Sequence, residues 1–194
     1  MAVKRALLVV DVQRDFCEGG ALAASKTPSL IIPLSDFIEA VRENGELIVF
    51  TQDWHPPDHS SFKQNGGQWP LHCVAGSIGA ELMPPIALLP GDLLVHKGIE
   101  RSTEGYSAFE ATGLAAQLHA RGIESVAVCG IATEYCVRAT IVDALKAQFK
   151  ASLLIDLIRA VDCKGVLAVF TELQRAGVEL LDSHAWLLRD PQLR

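Results

Sequence analysis

Residues 125–145 read Ser125-Val126-Ala127-Val128-Cys129-Gly130-Ile131-Ala132-Thr133-Glu134-Tyr135-Cys136-Val137-Arg138-Ala139-Thr140-Ile141-Val142-Asp143-Ala144-Leu145. The β-branched apolar run Ser125–Cys129 predicts a buried strand that breaks at Gly130. Val137, Ile141 and Leu145 then recur at helical spacing, so the chain passes from strand through a tight turn into a helix. The same pairing of elements repeats on either side. Ala6–Val10, Leu47–Thr51, Asp92–Val95, Ala151–Leu157 and Glu179–Leu181 read as further strands. Leu30, Leu34, Phe37, Ile38 and Val41 mark a helix stopped by Asn44-Gly45. Leu114, Ala115 and Leu118 form a shorter stripe ending at Gly122, and Val166, Val169, Phe170 and Leu173 one ending at Gly177. Strands alternating with helices predict an α/β fold: a mainly parallel six-stranded sheet flanked by helices on both faces, in a Rossmann-like three-layer arrangement. One domain over residues 1–194 accounts for the length.

Composition narrows the function classes. Hydrophobic residues make up 49% of the chain and charged residues 21%, which excludes a wholly disordered chain. Lys plus Arg is 17 and Asp plus Glu is 23, a formal charge of −6 that argues against a nucleic-acid partner. No apolar run approaches the roughly 18 residues of a membrane span. The opening apolar stretch ends at Asp11, too early for a signal peptide. Five cysteines, an odd number with no export signal, read as thiols of a reducing cytoplasm.

Two long irregular segments, about 52–91 and 97–113, interrupt the alternation, and segments of that kind usually carry function. In open α/β sheets ligands bind beyond the carboxyl ends of the strands. Asp11 follows the first strand, Asp53 the second and Lys97 the third, while Gly130–Cys136 follows the fourth. Two carboxylates, an amine and a thiol therefore converge on one rim. Cys136 falls near a helix N-terminus, where free N–H groups stabilise a thiolate or a developing oxyanion. A lysine beside the thiol would lower its pKa, and a carboxylate would shuttle the proton. Taken singly, the three residues read as a buried hydrophobe, a loop carboxylate and a surface charge; their shared rim is what favours chemistry.

The segment Asp53-Trp54-His55-Pro56-Pro57-Asp58-His59 and the later Trp69-Pro70-Leu71-His72 hold three of the six histidines. Asp53 and His55 sit at i and i+2 of an extended chain and point the same way. Pro56-Pro57 forbids an ordinary helix there, so a loop must return His59 and His72. One carboxylate with three imidazoles suits one divalent ion: zinc, with manganese or iron as alternatives. A polar surface loop is the competing reading. Asp58 reads as a turn residue, and His96, His119 and His184 have no metal context.

In order along the chain, Leu8-Val9-Val10-Asp11-Val12-Gln13-Arg14-Asp15-Phe16-Cys17-Glu18-Gly19-Gly20, Asp53-Trp54-His55, Trp69-Pro70-Leu71-His72-Cys73, His96-Lys97-Gly98 and Gly130-Ile131-Ala132-Thr133-Glu134-Tyr135-Cys136-Val137 resemble the nicotinamidases (pyrazinamidases) of the isochorismatase-like cysteine hydrolase superfamily. The resemblance implies hydrolysis of nicotinamide to nicotinate and ammonia, a step of NAD salvage, with pyrazinamide as a further substrate. It implies a triad of Asp11, Lys97 and Cys136, and a metal held by Asp53, His55, His59 and His72. A cis Ile131–Ala132 bond would aim the Ala132 and Cys136 N–H groups at the oxyanion. Phe16, Trp69 and Tyr106, with Ile131, would bind a small aromatic amide. Glu134 and Tyr135 receive no role, and assembly into a homo-oligomer stays open.

Three other readings compete. Sister hydrolases acting on carbamoyl or ureido compounds usually lack the Asp-x-His ligands. A binding protein without turnover has no use for Cys136. A thiol redox protein would carry the Cys-x-x-Cys pair that is missing here.

Overall fold

Six strands pair in parallel throughout, in the order β3-β2-β1-β4-β5-β6. In the computed structural model, which describes residues 4–189, they are β1 (Arg5–Val10), β2 (Leu47–Asp53), β3 (Leu93–Lys97), β4 (Ser125–Ile131), β5 (Lys150–Arg159) and β6 (Glu179–Leu181). The helices are α1 (Pro28–Glu43), α2 (Leu114–Ala120), α3 (Arg138–Lys146), α4 (Val166–Arg175) and α5 (Ser183–Leu188).

Strand alternation divides the core. Leu7 and Val9 of β1 pack with Leu30, Leu34, Phe37, Ile38 and Val41 of α1 and Trp186 of α5. Ala6, Leu8 and Val10 point the other way, to Leu114 and Leu118 of α2, Ile141 and Ala144 of α3, and Val169 and Leu173 of α4. The expected three layers follow from this two-residue period. Every residue of β1 is buried. A large-to-small change such as Leu8→Ala would therefore cost about 2–5 kcal/mol.

The strands run further than their apolar cores suggest. Asp53 and Lys97 do not follow β2 and β3 but end them, as direct register partners. Polar residues prolong both strands because the parallel ladder continues beneath them. α5 had no helical stripe to reveal it, being only six residues long. Its first turn is held by the Asp182 carboxylate, which accepts the Ala185 N–H at 2.7 Å.

The sheet order reverses direction between β1 and β4, and crevices open at such switch points. β4 and β5 lose register there: Val128 pairs with Leu153, but Gly130 pairs with Ile158. Gly130 has φ +112°, and a Cβ on it would overlap the Val10 backbone. Only glycine lets the end of β4 lie this close to the end of β1. The peptide bond between Ile131 and Ala132 is cis, as the resemblance implied.

Candidate active site

Asp11 follows β1 with φ +49°, a backbone region that non-glycine residues seldom occupy. Lys97 is 1% exposed, and its Nζ donates to Asp53 Oδ1 at 2.5 Å, to the Gly105 carbonyl at 2.8 Å and to Cys136 Sγ at 3.4 Å. The same nitrogen lies 2.7 Å from Asp11 Oδ2. Oxygens of Asp11 and Asp53 and the Cys136 sulfur all fall within 4.8 Å of one another. Cys136 belongs to a wide helical turn, Thr133–Val137, that leads into α3. The rim read from the strand ends is thus one buried cluster.

Its charges are unevenly held. Burial alone would depress Lys97, but the Asp11 and Asp53 carboxylates outweigh it and hold the ammonium well above its ordinary range. Burial works against the charge of Asp53 too, yet the Lys97 ammonium and His55 keep it ionised and lower its pKa. At Asp11 burial wins, and the carboxyl is raised. The sequence expectation that Lys97 lowers the Cys136 thiol is overruled within this cluster. Burial, reinforced by Asp11 and Asp53, pushes the thiol well above its usual value despite the lysine. Lys97 does pull the thiol down as expected, but burial outweighs it.

Beside this cluster lies a group of metal-ligand type. Ligand atoms of Asp53, His55 and His72 lie within 4.8 Å of one another, and all three residues are buried. His55 Nδ1 donates to the Gly98 carbonyl at 2.9 Å, and His72 Nδ1 donates to the Pro70 carbonyl at 2.7 Å. A carbonyl only accepts, so each Nδ1 carries a proton and Nε2 is the nitrogen that would meet an ion. Burial lowers the pKa of His72 and of His59, which keeps them neutral. His59 lies outside the group of three, with its ring 4.1 Å from that of His55. Its Nδ1 accepts the Ser61 backbone N–H at 3.3 Å and stands 2.7 Å from the Ser61 hydroxyl. The Asp53 carboxylate with the His55 and His72 imidazoles, each braced through Nδ1, fits a divalent ion.

Gly98 has φ +62°, and a Cβ there would overlap the His55 imidazole. The absent side chain is what allows the Gly98 carbonyl to reach His55. Gly105 packs on Gly98, and its N–H donates to Glu110 Oε2 at 3.0 Å. This small arch joins the carbonyl that braces His55 to the one that receives Lys97.

A cavity open to solvent on one side lies over both clusters. Asp53, His55 and His72 line one end, while Cys136 and Ala132 lie in its wall. Phe16, Trp69 and Tyr106 line it as expected. Trp69 Nε1 donates to the Tyr106 hydroxyl at 3.0 Å, and the Phe16 ring tilts against His72. Ile131 does not: it is 0% exposed, is not among the lining residues and packs in the core with Leu7 and Val9. Strand alternation turns its side chain inward. Tyr135, which had no sequence-based role, stands edge-on to Trp69 at 5.1 Å and lines the cavity with Leu22, Ser61, Glu104 and Val161. No spacing rule reaches these residues, because they come from separate loops. Glu134 is a brace, accepting the Asp162 N–H at 2.7 Å. Asp58 is exposed and faces Arg101. His96 stacks on Trp54 at 4.2 Å.

The family model of the isochorismatase domain matches residues 5–185. The chain belongs to that family. Among its relatives, the nicotinamidase of Acinetobacter baylyi is 39% identical over 201 residues, covering 92% of this chain and 92% of that protein. The crystal structure of the Pyrococcus horikoshii pyrazinamidase in complex with zinc superposes with a TM-score of 0.89 at 41% identity, covering 92% of this chain and 99% of that one. The structure of PnC1 from L. infantum in complex with nicotinate gives a TM-score of 0.84 at 39% identity, over 95% and 97% of the two chains. Membership of the isochorismatase family thus extends over the sheet, the cluster around Lys97 and the histidine group together. Among the described residues, no helix is long and apolar enough to cross a membrane.

Proposed function

We propose that this chain is a metal-dependent cysteine amidohydrolase that converts nicotinamide to nicotinate and ammonia, and also accepts pyrazinamide. The observation that carries this reading is the placement of Cys136 and the Asp53–His55–His72 group in the wall of one aromatic cavity. A thiol alone would serve many acyl transfers. A metal group beside it, facing aromatic walls, suits a flat ring that carries both an amide and a ring nitrogen.

In this mechanism Cys136 is the nucleophile. Its thiol is neutral at rest, so the proton must leave as the sulfur attacks. Asp11 takes that proton while Sγ bonds to the amide carbonyl carbon. The backbone N–H groups of Ala132 and Cys136 receive the developing oxyanion. As the tetrahedral centre collapses, the C–N bond breaks and Asp11 returns the proton to the departing nitrogen, releasing ammonia and leaving a thioester. Asp11 next removes a proton from water, whose oxygen attacks the thioester. Nicotinate leaves and the thiol regains its proton. Lys97 keeps the two carboxylates apart in charge and faces the sulfur as it becomes anionic. Phe16, Trp69, Tyr106 and Tyr135 hold the ring. Asp53, His55, His72 and His59 would hold the divalent ion, zinc first by this donor set, whose chemistry is a Lewis-acid hold on a ring-nitrogen lone pair. All five cysteines are free thiols, which fits a reducing cytoplasm.

The deciding experiment measures ammonia release from nicotinamide by metal-replete protein, with Cys136→Ala in parallel. Release by the parent and none by the variant is expected. A metal-replete parent that releases no ammonia overturns the reading and directs attention to carbamoyl and ureido amides.

A further inference from the structure

Thr51 is a fully buried polar residue of β2 that the mechanism above leaves unused. Its hydroxyl is bonded twice to Asp11. It accepts the Asp11 N–H at 3.1 Å and donates to Asp11 Oδ1 at 2.5 Å. The first bond holds a backbone whose φ is +49°, a conformation that non-glycine residues adopt only when their surroundings impose it. The second engages one carboxylate oxygen with the only proton a threonine hydroxyl has.

The other oxygen is left differently. Asp11 Oδ2 is buried and faces the Lys97 ammonium, with Nζ 2.7 Å away. An ammonium carries three protons. Those of Lys97 also face Asp53, Gly105 and Cys136. The lysine thus spreads three protons over four acceptors, Oδ2 among them, whereas the Thr51 proton goes to Oδ1 alone. Of the two Asp11 oxygens, Oδ1 is fixed by the Thr51 hydroxyl, and Oδ2 is the one turned to Lys97, which also faces the Cys136 sulfur.

We propose that Thr51 is a positioning residue that reserves Asp11 Oδ2 as the proton carrier. The inference rests on the hydrolysis mechanism proposed above. In the attack step the Cys136 S–H bond breaks, the proton goes to Oδ2, and the sulfur electron pair forms the bond to carbonyl carbon. The Thr51 bond to Oδ1 stays in place throughout. When the proton returns to the leaving nitrogen, it leaves from the same oxygen. Without the hydroxyl, the carboxylate is free to turn, and the proton is shared between an oxygen that faces the reaction and one that does not.

The test compares parent, Thr51→Val and Thr51→Ser on nicotinamide, with kcat and KM resolved and bound metal measured. Valine keeps the shape and loses the hydroxyl, while serine keeps the hydroxyl. Loss of a hydrogen bond to a charged group predicts a kcat lower by about 10- to 100-fold in Thr51→Val. KM and metal content should stay near the parent values, and Thr51→Ser should recover most of the rate. A Thr51→Val enzyme with parental kcat overturns the proposal. So does a loss confined to KM or metal content, or a serine variant as slow as valine, since each would make Thr51 a packing residue. If Thr51→Val fails to fold, Thr51→Ala against Thr51→Ser isolates the hydroxyl at equal loss of the methyl group. Ammonia release by the parent separates the two levels. A silent parent defeats the functional reading and this inference with it, whereas an active parent matched by Thr51→Val defeats this inference alone.

Discussion

Asp53 and Lys97 end neighbouring strands as register partners, and their side chains meet at 2.5 Å. The other oxygen of Asp53 lies 3.5 Å from His55 Nε2. One carboxylate thus belongs to both the metal-type group and the thiol cluster.

Removing metal and removing Asp53 should therefore differ. His72→Ala takes away a ligand and leaves the Asp53–Lys97 pair intact. Metal affinity should fall by more than about 100-fold, beyond the loss usual for residues that merely orient a ligand. KM should rise by tenfold or more on the same scale while kcat falls less. Asp53→Ala also breaks a buried ion pair, an effect of about 3–5 kcal/mol. It should lower kcat and thermal stability together with metal content. Steady-state kinetics, metal analysis and melting curves on the two variants check this. A His72→Ala enzyme whose loss is all in kcat would contradict a metal that serves chiefly to hold substrate.

Gly98→Ala should act at a distance from the cavity. The added methyl overlaps the His55 ring, at a residue whose φ is +62°. Strain and overpacking of this kind cost about 1–3 kcal/mol each. The expected result is a lower melting temperature and weaker metal binding, with the cavity aromatics untouched. Parental metal affinity in Gly98→Ala would show that the Gly98 carbonyl does not orient His55.

Cys17 gives a pH dependence free of the site's coupled charges. Burial pushes its thiol from 9.0 to about 11. The unfolded chain ionises first, so the folded state holds the extra proton between those values. Stability is unaffected below pH 9 and declines as pH rises through 9 to 11. In Cys17→Ala that part of the alkaline decline is absent. Melting temperatures of parent and variant should therefore converge, or cross, as pH is raised over this window. A constant difference between the two proteins would show that Cys17 does not titrate on unfolding.

Much of the fold and part of the site were legible in the order of residues. Leu7 against Leu8 and the stripe Leu30–Val41 carry the two periods that build the layers. Asp11, Asp53, Lys97 and Cys136 were found because parallel strands deliver their last residues to one rim. The histidines were found because proline and spacing force a loop to bring them back. What stayed hidden depends on contacts between segments. Tyr135 joins the cavity only because the turn before α3 faces Trp69. Thr51 looks like an ordinary strand residue until its neighbour just past the end of β1 proves to be Asp11. Lys97 does face the Cys136 thiol and lower it, but the depth of burial that outweighs the lysine is not written in the spacing of residues. Ile131, which the resemblance puts on the substrate, is sent to the core by strand alternation.

The close passage of Gly130 over Val10 has a consequence for the distance between base and nucleophile. Asp11 is the next residue after Val10, and Cys136 follows Gly130 by a single turn. Any side chain at 130 would wedge the two strands apart at the point from which both groups depart. The reach of a proton transfer is thus set by a hydrogen atom standing where other residues carry carbon, one layer beneath the chemistry.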